Sequence, residues 1–585
     1  MKIQITGLMA AAVQRVGATF DTAAIALERT RDPTHGDFAS NIAMRLAKTA
    51  RRKPRELAEA IVAALPANNL IARAEVAGAG FINLFLTRGA YIAELQRVHA
   101  EGADYGRSRL GAGRRVNLEF VSANPTGPMH VGHGRQAAYG SALASLLEAV
   151  GYDVHREYYI NDAGRQMDIL AASVWLRYLE LGGEPLPFPQ NAYRGDYLLP
   201  VAQQLRDRVG SELQRDAAAV FAELPADAPE GDKDRYIDAV IHRARELLGP
   251  EGFQRVLQTG LAAMLEEIRD DLQGFDVQFD QWTSERAFTD SGAIDRALQR
   301  LRADGRIYEK DGAQWFRATE FGDDEDRVVV RENGVHTYFA SDIAYHFDKR
   351  QRGFDLLIDV LGADHHGYVS RVRGGLAAMG ESPDCLEVCL IQLVSLFRNG
   401  VKLSMGKREA TFVTLRQLRE EVGNDACRLF YLMRSNDQPL DFDLELAKSK
   451  SNENPVFYIQ YAHARVASVM KELAARGGRF DRAGAEASLA AEGERLLAAP
   501  TAQALLAMVS RYPEVLASAA TQRAPHAVAH YLRDLANALH TFYGAERVLI
   551  DDAAERDARL YLLLATQTVI RNGLGLLGAS APETM

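Results

Sequence analysis

The chain has 585 residues, of which 47% are hydrophobic and 25% charged, so it is too long for one core and has room for three or four domains. It carries no apolar run long enough to span a bilayer and no cationic-then-apolar N-terminal signal, which predicts a cytoplasmic protein without membrane contacts. A formal charge of −10 excludes polyanion binding over the whole surface, and three cysteines, Cys385, Cys389 and Cys427, exclude a disulfide framework.

Residues 1–105 read as a unit of their own: an amphipathic helix, the string Gly36-Asp-Phe-Ala-Ser-Asn, a long helical stretch, and a strand-like close from Gly78 to Leu86. Residues 41–55 hold Arg45, Lys48, Arg51, Arg52, Lys53 and Arg55 and no acid. Arg45, Lys48, Arg52 and Arg55 recur at helical spacing and are predicted to share one face, either solvated or, since the rest of the chain is acidic, in contact with phosphates. Residues 101–114, rich in Gly and charge, read as a linker.

Residues 117–135 read Asn-Leu-Glu-Phe-Val-Ser-Ala-Asn-Pro-Thr-Gly-Pro-Met-His-Val-Gly-His-Gly-Arg. The apolar run Val116–Val121, the turn dipeptides Asn124-Pro125 and Gly127-Pro128, and the Ala/Leu-rich run from Gln136 to Val150 predict strand, turn and helix. In an α/β sheet such a helix aims its unpaired N–H groups at the crevice beyond the strand ends, where anions bind. Gly132 and Gly134 would admit a base or a phosphate close to the backbone, and His130 and His133 could face one side of it. The rival reading is a chance tetrapeptide whose histidines cap a helix.

Val154–Ile160 is a second strand, running into Asn161-Asp-Ala-Gly-Arg-Gln. Residues 166–330 show a mostly helical pattern and read as an insertion; Tyr193-Arg-Gly-Asp-Tyr lies within it without evident chemistry. The sheet is predicted to resume with Val335-His-Thr-Tyr-Phe-Ala, with Ser341 or Asp342 opening the next helix. Buried strands from Phe354 to Leu361 and from Val388 to Phe397 run into Gly362-Ala-Asp-His-His-Gly and Arg398-Asn-Gly-Val-Lys-Leu-Ser-Met-Gly-Lys-Arg. Continuous apolar strands alternating with helices require a parallel sheet covered on both faces, and polar motifs after each strand can converge on one crevice. Asp364, His365 and His366 would also suit a metal phosphoesterase, which needs further carboxylates at ligand spacing. Cys389 reads as a buried strand cysteine, with no second pair to complete a zinc site.

From 452 onward the pattern is helical throughout. Tyr458, Tyr461 and Arg465 fall on one helical face, suited to core packing or to stacking on unpaired bases.

The string from Ser122 to Arg135 resembles the nucleotide-binding signature of class I aminoacyl-tRNA synthetases in its arginyl form. Tyr158-Tyr-Ile-Asn-Asp-Ala-Gly-Arg-Gln, Gly36-Asp-Phe-Ala-Ser-Asn, Gly78-Ala-Gly-Phe-Ile-Asn, Tyr193-Arg-Gly-Asp-Tyr and Asn454-Pro-Val-Phe-Tyr-Ile-Gln-Tyr-Ala-His-Ala-Arg resemble the same family. The resemblance implies an α/β fold, with a Rossmann-like parallel nucleotide-binding sheet over 106–451 carrying the insertion at 166–330. It also implies an N-terminal α+β additional domain over 1–105 that contacts tRNA, and an all-α anticodon-binding domain over 452–585. The implied partners are tRNA(Arg), L-arginine and ATP with Mg2+ as a substrate complex, with no tightly bound cofactor, no structural zinc and no metal ligands, in a monomer.

By the same resemblance Pro128, His130, Gly132, His133, Gly134, Lys402 and Ser404 bind ATP, and His130, His133, Lys402 and Lys407 serve catalysis. Glu119, Ser122, Asn124, Tyr338 and Asp342 contact arginine, with Asp364 and His366 beside them; Asp342 is also readable as a helix cap. Arg45, Lys48, Arg52, Tyr458, Tyr461 and Arg465 contact tRNA. The loop Lys402-Leu-Ser-Met-Gly-Lys-Arg departs from the common Lys-Met-Ser-Lys-Ser by placing its second lysine one residue later. The family generally forms its adenylate only with tRNA bound. The alternatives are another class I synthetase such as a cysteinyl one, which the missing zinc ligands weaken, and a synthetase-like RNA-binding protein without catalysis, against which both histidines and both lysines speak.

Overall fold

The computed structural model describes residues 1–17, 25–30, 32–403 and 413–585. At its centre are five parallel strands: β1 (Arg115–Phe120), β2 (Asp153–Ile160), β3 (Gln281–Ser284), β4 (Leu356–Gly362) and β5 (Leu386–Ile391), in the order β5-β4-β1-β2-β3. From β1 the chain proceeds to one side through β2 and β3, and the later strands β4 and β5 lie on the other. The order therefore reverses between β1 and β4, where a parallel sheet opens a crevice at its carboxyl edge. Val116, Leu118, Phe120, Ile358 and Val360 are buried. Helix α1 (Val131–Ala149) covers β1 closely, because a Cβ on Gly140 would lie 2.3 Å from the Phe120 ring.

The insertion is shorter than the sequence pattern suggests. Helices fill residues 165–274, but the chain returns to the sheet at β3, whose Trp282 pairs with Tyr158. A separate three-stranded antiparallel sheet then follows, formed by Ile307–Lys310, Ala313–Phe316 and Arg327–Val330. Val335–Ala340 is not a sheet strand: Thr337 Oγ1 accepts the N–H of Ala340 and caps α2 (Tyr338–Gln351). Thr337, and neither Ser341 nor Asp342, opens this helix.

The apolar run from Val388 to Phe397 also divides. It leaves the main sheet at Gln392, whose carbonyl accepts the buried Arg135 guanidinium at 2.8 Å and whose N–H donates to the Asn436 carbonyl. Val394–Arg398 then pairs in parallel with Leu440–Asp443.

The N-terminal unit is an antiparallel sheet of Leu27–Arg29, Phe38–Ser40, Phe81–Leu86 and Ile71–Ala77, with helices Lys2–Arg15 and Pro54–Ala63 over its own core of Met9, Phe38, Leu57 and Ile82. That core ends at about Leu86 rather than 105. The next helix, Arg88–Glu101, packs on the C-terminal helices instead: Arg88 donates to the Leu497 carbonyl, and His99 Nε2 pairs with the Tyr561 carbonyl at 2.8 Å.

The C-terminal region is all helical, including α3 (Pro455–Ala475) and α4 (Pro525–Ala545), and its core is continuous with that of the sheet. Side chains clasp the units together. Arg29 forms a two-point pair with Glu514, and Arg523 another with Glu387 on β5 while its carbonyl accepts the Tyr139 hydroxyl of α1.

Candidate active site

The site begins where β1 ends. Val121 and Ser122 both take positive φ, 69° and 38°, a conformation that a β-branched residue adopts only under constraint. The reversal turns Ser122 Oγ back to donate to Glu119 Oε1 at 3.0 Å, and Ser122 Oγ in turn accepts the N–H of Tyr159 on β2.

His130 caps α1. Its Nδ1 accepts the N–H groups of Gly132 at 3.1 Å and His133 at 3.4 Å, while His133 Nδ1 accepts the N–H of His130 at 3.3 Å. The rings stack with centroids 3.6 Å apart. The capping and functional readings of the pair are thus compatible. An Nδ1 that accepts leaves the neutral imidazole's proton on Nε2, so each ring is a donor at its far nitrogen. Pro128 is buried behind the turn, and Gly132 lies against the His130 ring. Gly134 is buried and its would-be Cβ faces Leu415 and Tyr431 at 2.7 and 2.8 Å, so it serves packing of α1 rather than the approach of a nucleotide.

Lys402 is exposed on the two-stranded turn that pairs Val394–Arg398 with Val401–Lys402. Ser404 and Lys407 lie outside the described residues. Beyond them the chain returns beside the histidines: His130 pairs with Thr414, and Leu415 N–H donates to the Met129 carbonyl at 2.8 Å.

Across the switch point, Asp359 on β4, Glu119 on β1 and Glu157 on β2 are register partners, three carboxylates in a row. Helix α2 supplies the cations and donors that hold them. Lys349, fully buried, donates to Glu119 Oε2 at 2.6 Å and to Asp359 Oδ1 at 3.3 Å; His346 Nε2 pairs with Asp359 Oδ2 at 2.7 Å; Tyr345 donates to Glu157, as does Arg352 just beyond the helix end. Burial opposes ionisation of Glu157, but Lys349 and Arg352 outweigh it and hold the carboxyl down at about 2. Glu119 therefore has two partners within the protein, Lys349 and Ser122.

Asp342 lies in the second turn of α2, away from the cap. Burial pushes its carboxyl up to about 7, against the pull of His346 and helped by Glu119 and Glu285. Glu285, just after β3, has a buried Oε2 without a hydrogen-bond partner, and burial with the Asp162 charge raises it to about 7 as well. Two neighbouring carboxyls are thus held above the usual carboxylate range, chiefly by burial. No local pattern singles out Glu285, Lys349 or His346, because their neighbours come from helices and strands distant in sequence.

Tyr338, at the start of α2, is 70% exposed, with its hydroxyl 3.9 Å from where a Gly164 Cβ would stand, so it lies over the Asn161–Gly164 turn and not inside a closed pocket. Asn124 is half-buried on the turn before α1, and Asp364 is exposed after β4; the His365 and His366 side chains lie outside the described ones.

The candidate RNA contacts separate into two surfaces. Arg45, Lys48 and Arg52 are exposed, but they do not share one long helix: Ile42–Leu46 ends, Arg51 takes φ 50°, and Pro54 starts Pro54–Ala63. Proline disfavours helix at the residue before it, so the basic run had to break. In the C-terminal region, α3 and α4 make an aromatic and cationic patch. Arg465 donates to Tyr461 Oη at 2.9 Å and to His540 Nδ1 at 3.0 Å, its guanidinium lies over the Tyr461 and Tyr543 rings, and Tyr458 Oη donates to Asn537. His540, Tyr543 and Asn537 join from α4, which no spacing within α3 could reveal.

A reversing parallel sheet with a histidine-capped helix at its switch point, joined to a helical C-terminal domain, defines a class I tRNA synthetase. Residues 94–180 match the family model described as tRNA synthetases class I (R), catalytic domain; residues 4–86 match the arginyl tRNA synthetase N terminal domain, and residues 459–585 the DALR anticodon binding domain. The chain belongs to the arginyl-tRNA synthetases. It is 56% identical over 591 aligned residues to a protein of Thioalkalivibrio sulfidiphilus described as "Arginine--tRNA ligase", and 53% identical to one so described from Halorhodospira halophila, with the whole of each chain covered. The Thermus thermophilus arginyl-tRNA synthetase structure shares the fold over the whole of both chains at TM-score 0.76 and 22% identity.

Proposed function

We propose that this arginine-tRNA ligase activates L-arginine with ATP in the crevice between β1 and β4, and that tRNA completes that crevice. In this reading the arginine carboxylate attacks the α-phosphorus of ATP and pyrophosphate leaves, and a terminal hydroxyl of tRNA(Arg) then attacks the arginyl carbonyl of the adenylate, breaking the mixed-anhydride bond and releasing AMP. ATP arrives with Mg2+ as its substrate complex. No proton need be moved in the first step, so catalysis rests on donors aimed at charge that builds on the phosphates. His130 and His133 supply N–H groups at Nε2, the N-terminus of α1 adds its dipole, Lys402 supplies a cation from the other side, and Lys407 is a second cation for the phosphates.

Arginine recognition falls to carboxylates. Asp342 accepts the guanidinium, a planar fork matched by a carboxylate in two parallel bonds, while Glu119, Ser122 and Asn124 fix the other end. The single observation that carries the assignment is the reciprocal capping of His130 and His133, because it fixes their donors where the returning chain at Thr414 meets α1.

The N-terminal unit and the α3–α4 patch contact the tRNA body, through Arg45, Lys48 and Arg52 and through Tyr458, Tyr461 and Arg465. Both are clasped to the rest of the molecule by Arg29–Glu514 and Arg523–Glu387. RNA binding energy can therefore act on the sheet edge, which supports tRNA-dependent activation. Among the described residues no helix is long and apolar enough to cross a membrane, consistent with a cytoplasmic enzyme, and a monomer is the working form. The test of substrate is transfer of each of the twenty labelled amino acids to bulk tRNA. Arginine alone should be transferred; transfer of another amino acid, or of none, overturns the assignment.

A further inference from the structure

Two buried side chains of α2, His346 and Lys349, take no part in the chemistry above, yet they link the two carboxylates assigned to arginine. His346 Nδ1 donates to the Asp342 carbonyl at 2.7 Å, and its Nε2 meets Asp359 Oδ2 at 2.7 Å. Asp359 Oδ1 accepts from Lys349 Nζ at 3.3 Å, and the same ammonium donates to Glu119 Oε2 at 2.6 Å. An unbroken row of polar contacts thus runs from Asp342 to Glu119. We infer that His346 is a positioning residue for arginine: as a buried imidazolium it fixes the spacing between Asp342 and Glu119, and so selects the length of the amino-acid side chain. The inference rests on the reading above, in which Asp342 and Glu119 hold opposite ends of arginine.

The charge of the ring follows from its partners. A backbone carbonyl accepts hydrogen bonds and cannot donate, and the same holds for an ionised carboxylate. Both ring nitrogens therefore carry hydrogen, which is the imidazolium form. Burial opposes that charge, as does Lys349, but Asp359 outweighs both and holds the ring above the usual imidazole range.

The distances show what the charge does. Lys349 stands closer to Glu119 than to Asp359, 2.6 against 3.3 Å, and Asp359 has a second cation at 2.7 Å in His346. A neutral side chain in place of His346 would leave Asp359 to draw the ammonium to itself and away from Glu119, because a buried carboxylate must be paired. Nδ1 adds the second constraint. It ties the turn of α2 that carries Asp342 to Asp359 on β4, whose register partner on β1 is Glu119. The gap between the two arginine carboxylates is therefore set before the substrate arrives, and a guanidino acid of another length cannot meet both.

The experiment uses the full-length enzyme with tRNA(Arg) and compares arginine with homoarginine and norarginine, one methylene longer and shorter, as competitors of arginine transfer. Wild type should prefer arginine over each by about ten-fold or more, the discrimination that one methylene supports. His346→Gln keeps a donor toward Asp359 without the charge. It should bind arginine about ten-fold more weakly and the two homologues nearly as wild type does, which removes the preference, while the Michaelis constant for ATP is unchanged. A variant that keeps the preference overturns the assignment, whether its arginine affinity falls or not. Nitrogen NMR of wild type with labelled histidine supplies a readout that needs no folded variant: one ring should keep both nitrogens protonated at about pH 8, where an ordinary histidine is neutral. A spectrum in which all 14 histidines are neutral there also overturns it. Asp342→Asn and Glu119→Gln enzymes that bind arginine as wild type does would instead overturn the underlying reading, a separately recognisable result.

Discussion

His130 and His133 stack 16° from parallel with each Nδ1 occupied by a backbone N–H of the first turn of α1, so the two roles open to them, cap and donor, use different nitrogens. The roles can therefore be separated by substitution. Asparagine is a preferred N-cap and keeps an acceptor near the position of Nδ1, but nothing at Nε2. His130→Asn should unfold at the wild-type temperature while turnover falls a hundred- to a thousand-fold, about 3 to 4 kcal/mol of transition-state stabilisation. His130→Ala should lose both, with about 1 kcal/mol of stability. Wild-type turnover in His130→Asn would reduce the pair to a cap.

If Asp342 accepts the arginine guanidinium as proposed, with Glu285 beside it, arginine binding depends on pH. Both keep their protons up to about 7 in the free enzyme, chiefly through burial. A permanent cation binds their ionised forms, so arginine affinity should rise as pH rises from 6 to 8 and binding should release protons. Calorimetry in two buffers of different ionisation enthalpy measures that release. Stability runs the other way: a carboxyl raised on folding contributes most below its unfolded value near 4, and the contribution is lost as pH rises through about 7. Asp342→Asn should therefore be more stable than wild type at pH 8 while binding arginine at least thirty-fold more weakly, the lower end of about 2–5 kcal/mol for truncating a buried charge pair.

Lys349 holds Glu119 and Asp359 on adjacent strands. Lys349→Met leaves two buried carboxylates facing each other and should cost about 3–5 kcal/mol, read as a lower urea midpoint for the sheet. Removing their charge relieves the defect, so wild type and variant should differ less at pH 5 than at pH 8. In wild type, the stability that Glu157 contributes is present above about 4 and lost as pH falls towards its folded value of about 2.

The central motif was legible because strand, turn and helix each show their period within twenty residues, and the row of polar strand ends followed from parallel strands alone. Contacts between distant segments were not. Strand β3 has only four residues, too few for a period to show, and it is defined by its pairing with β2, Trp282 opposite Tyr158. Val335–Ala340 has strand-like composition but is overruled by one cap at Thr337. The division at Gln392 depends on Arg135, 257 residues away in sequence. Asp342 was singled out by resemblance, and the structure supplies its carboxylate neighbours Glu119 and Glu285.

The α3–α4 patch predicts how RNA binds. Tyr461→Ala or Arg465→Ala should each weaken tRNA binding by about 1–3 kcal/mol, the contribution of one stacked base. Because Arg465 donates to Tyr461 Oη, the double variant should lose less than the sum. The Michaelis constant for ATP should not change, and wild-type affinity for tRNA should fall steeply with salt. Filter binding at two salt concentrations checks both; unaltered tRNA affinity in both variants would mean that the patch is core.

Coupling of tRNA binding to chemistry is tested most directly by arginine-dependent exchange of labelled pyrophosphate into ATP, using enzyme treated with nuclease and repurified. If tRNA completes the crevice through the Arg29–Glu514 and Arg523–Glu387 clasps, exchange is near background without RNA and appears when tRNA(Arg) is added. Robust exchange by the RNA-free enzyme would contradict that account.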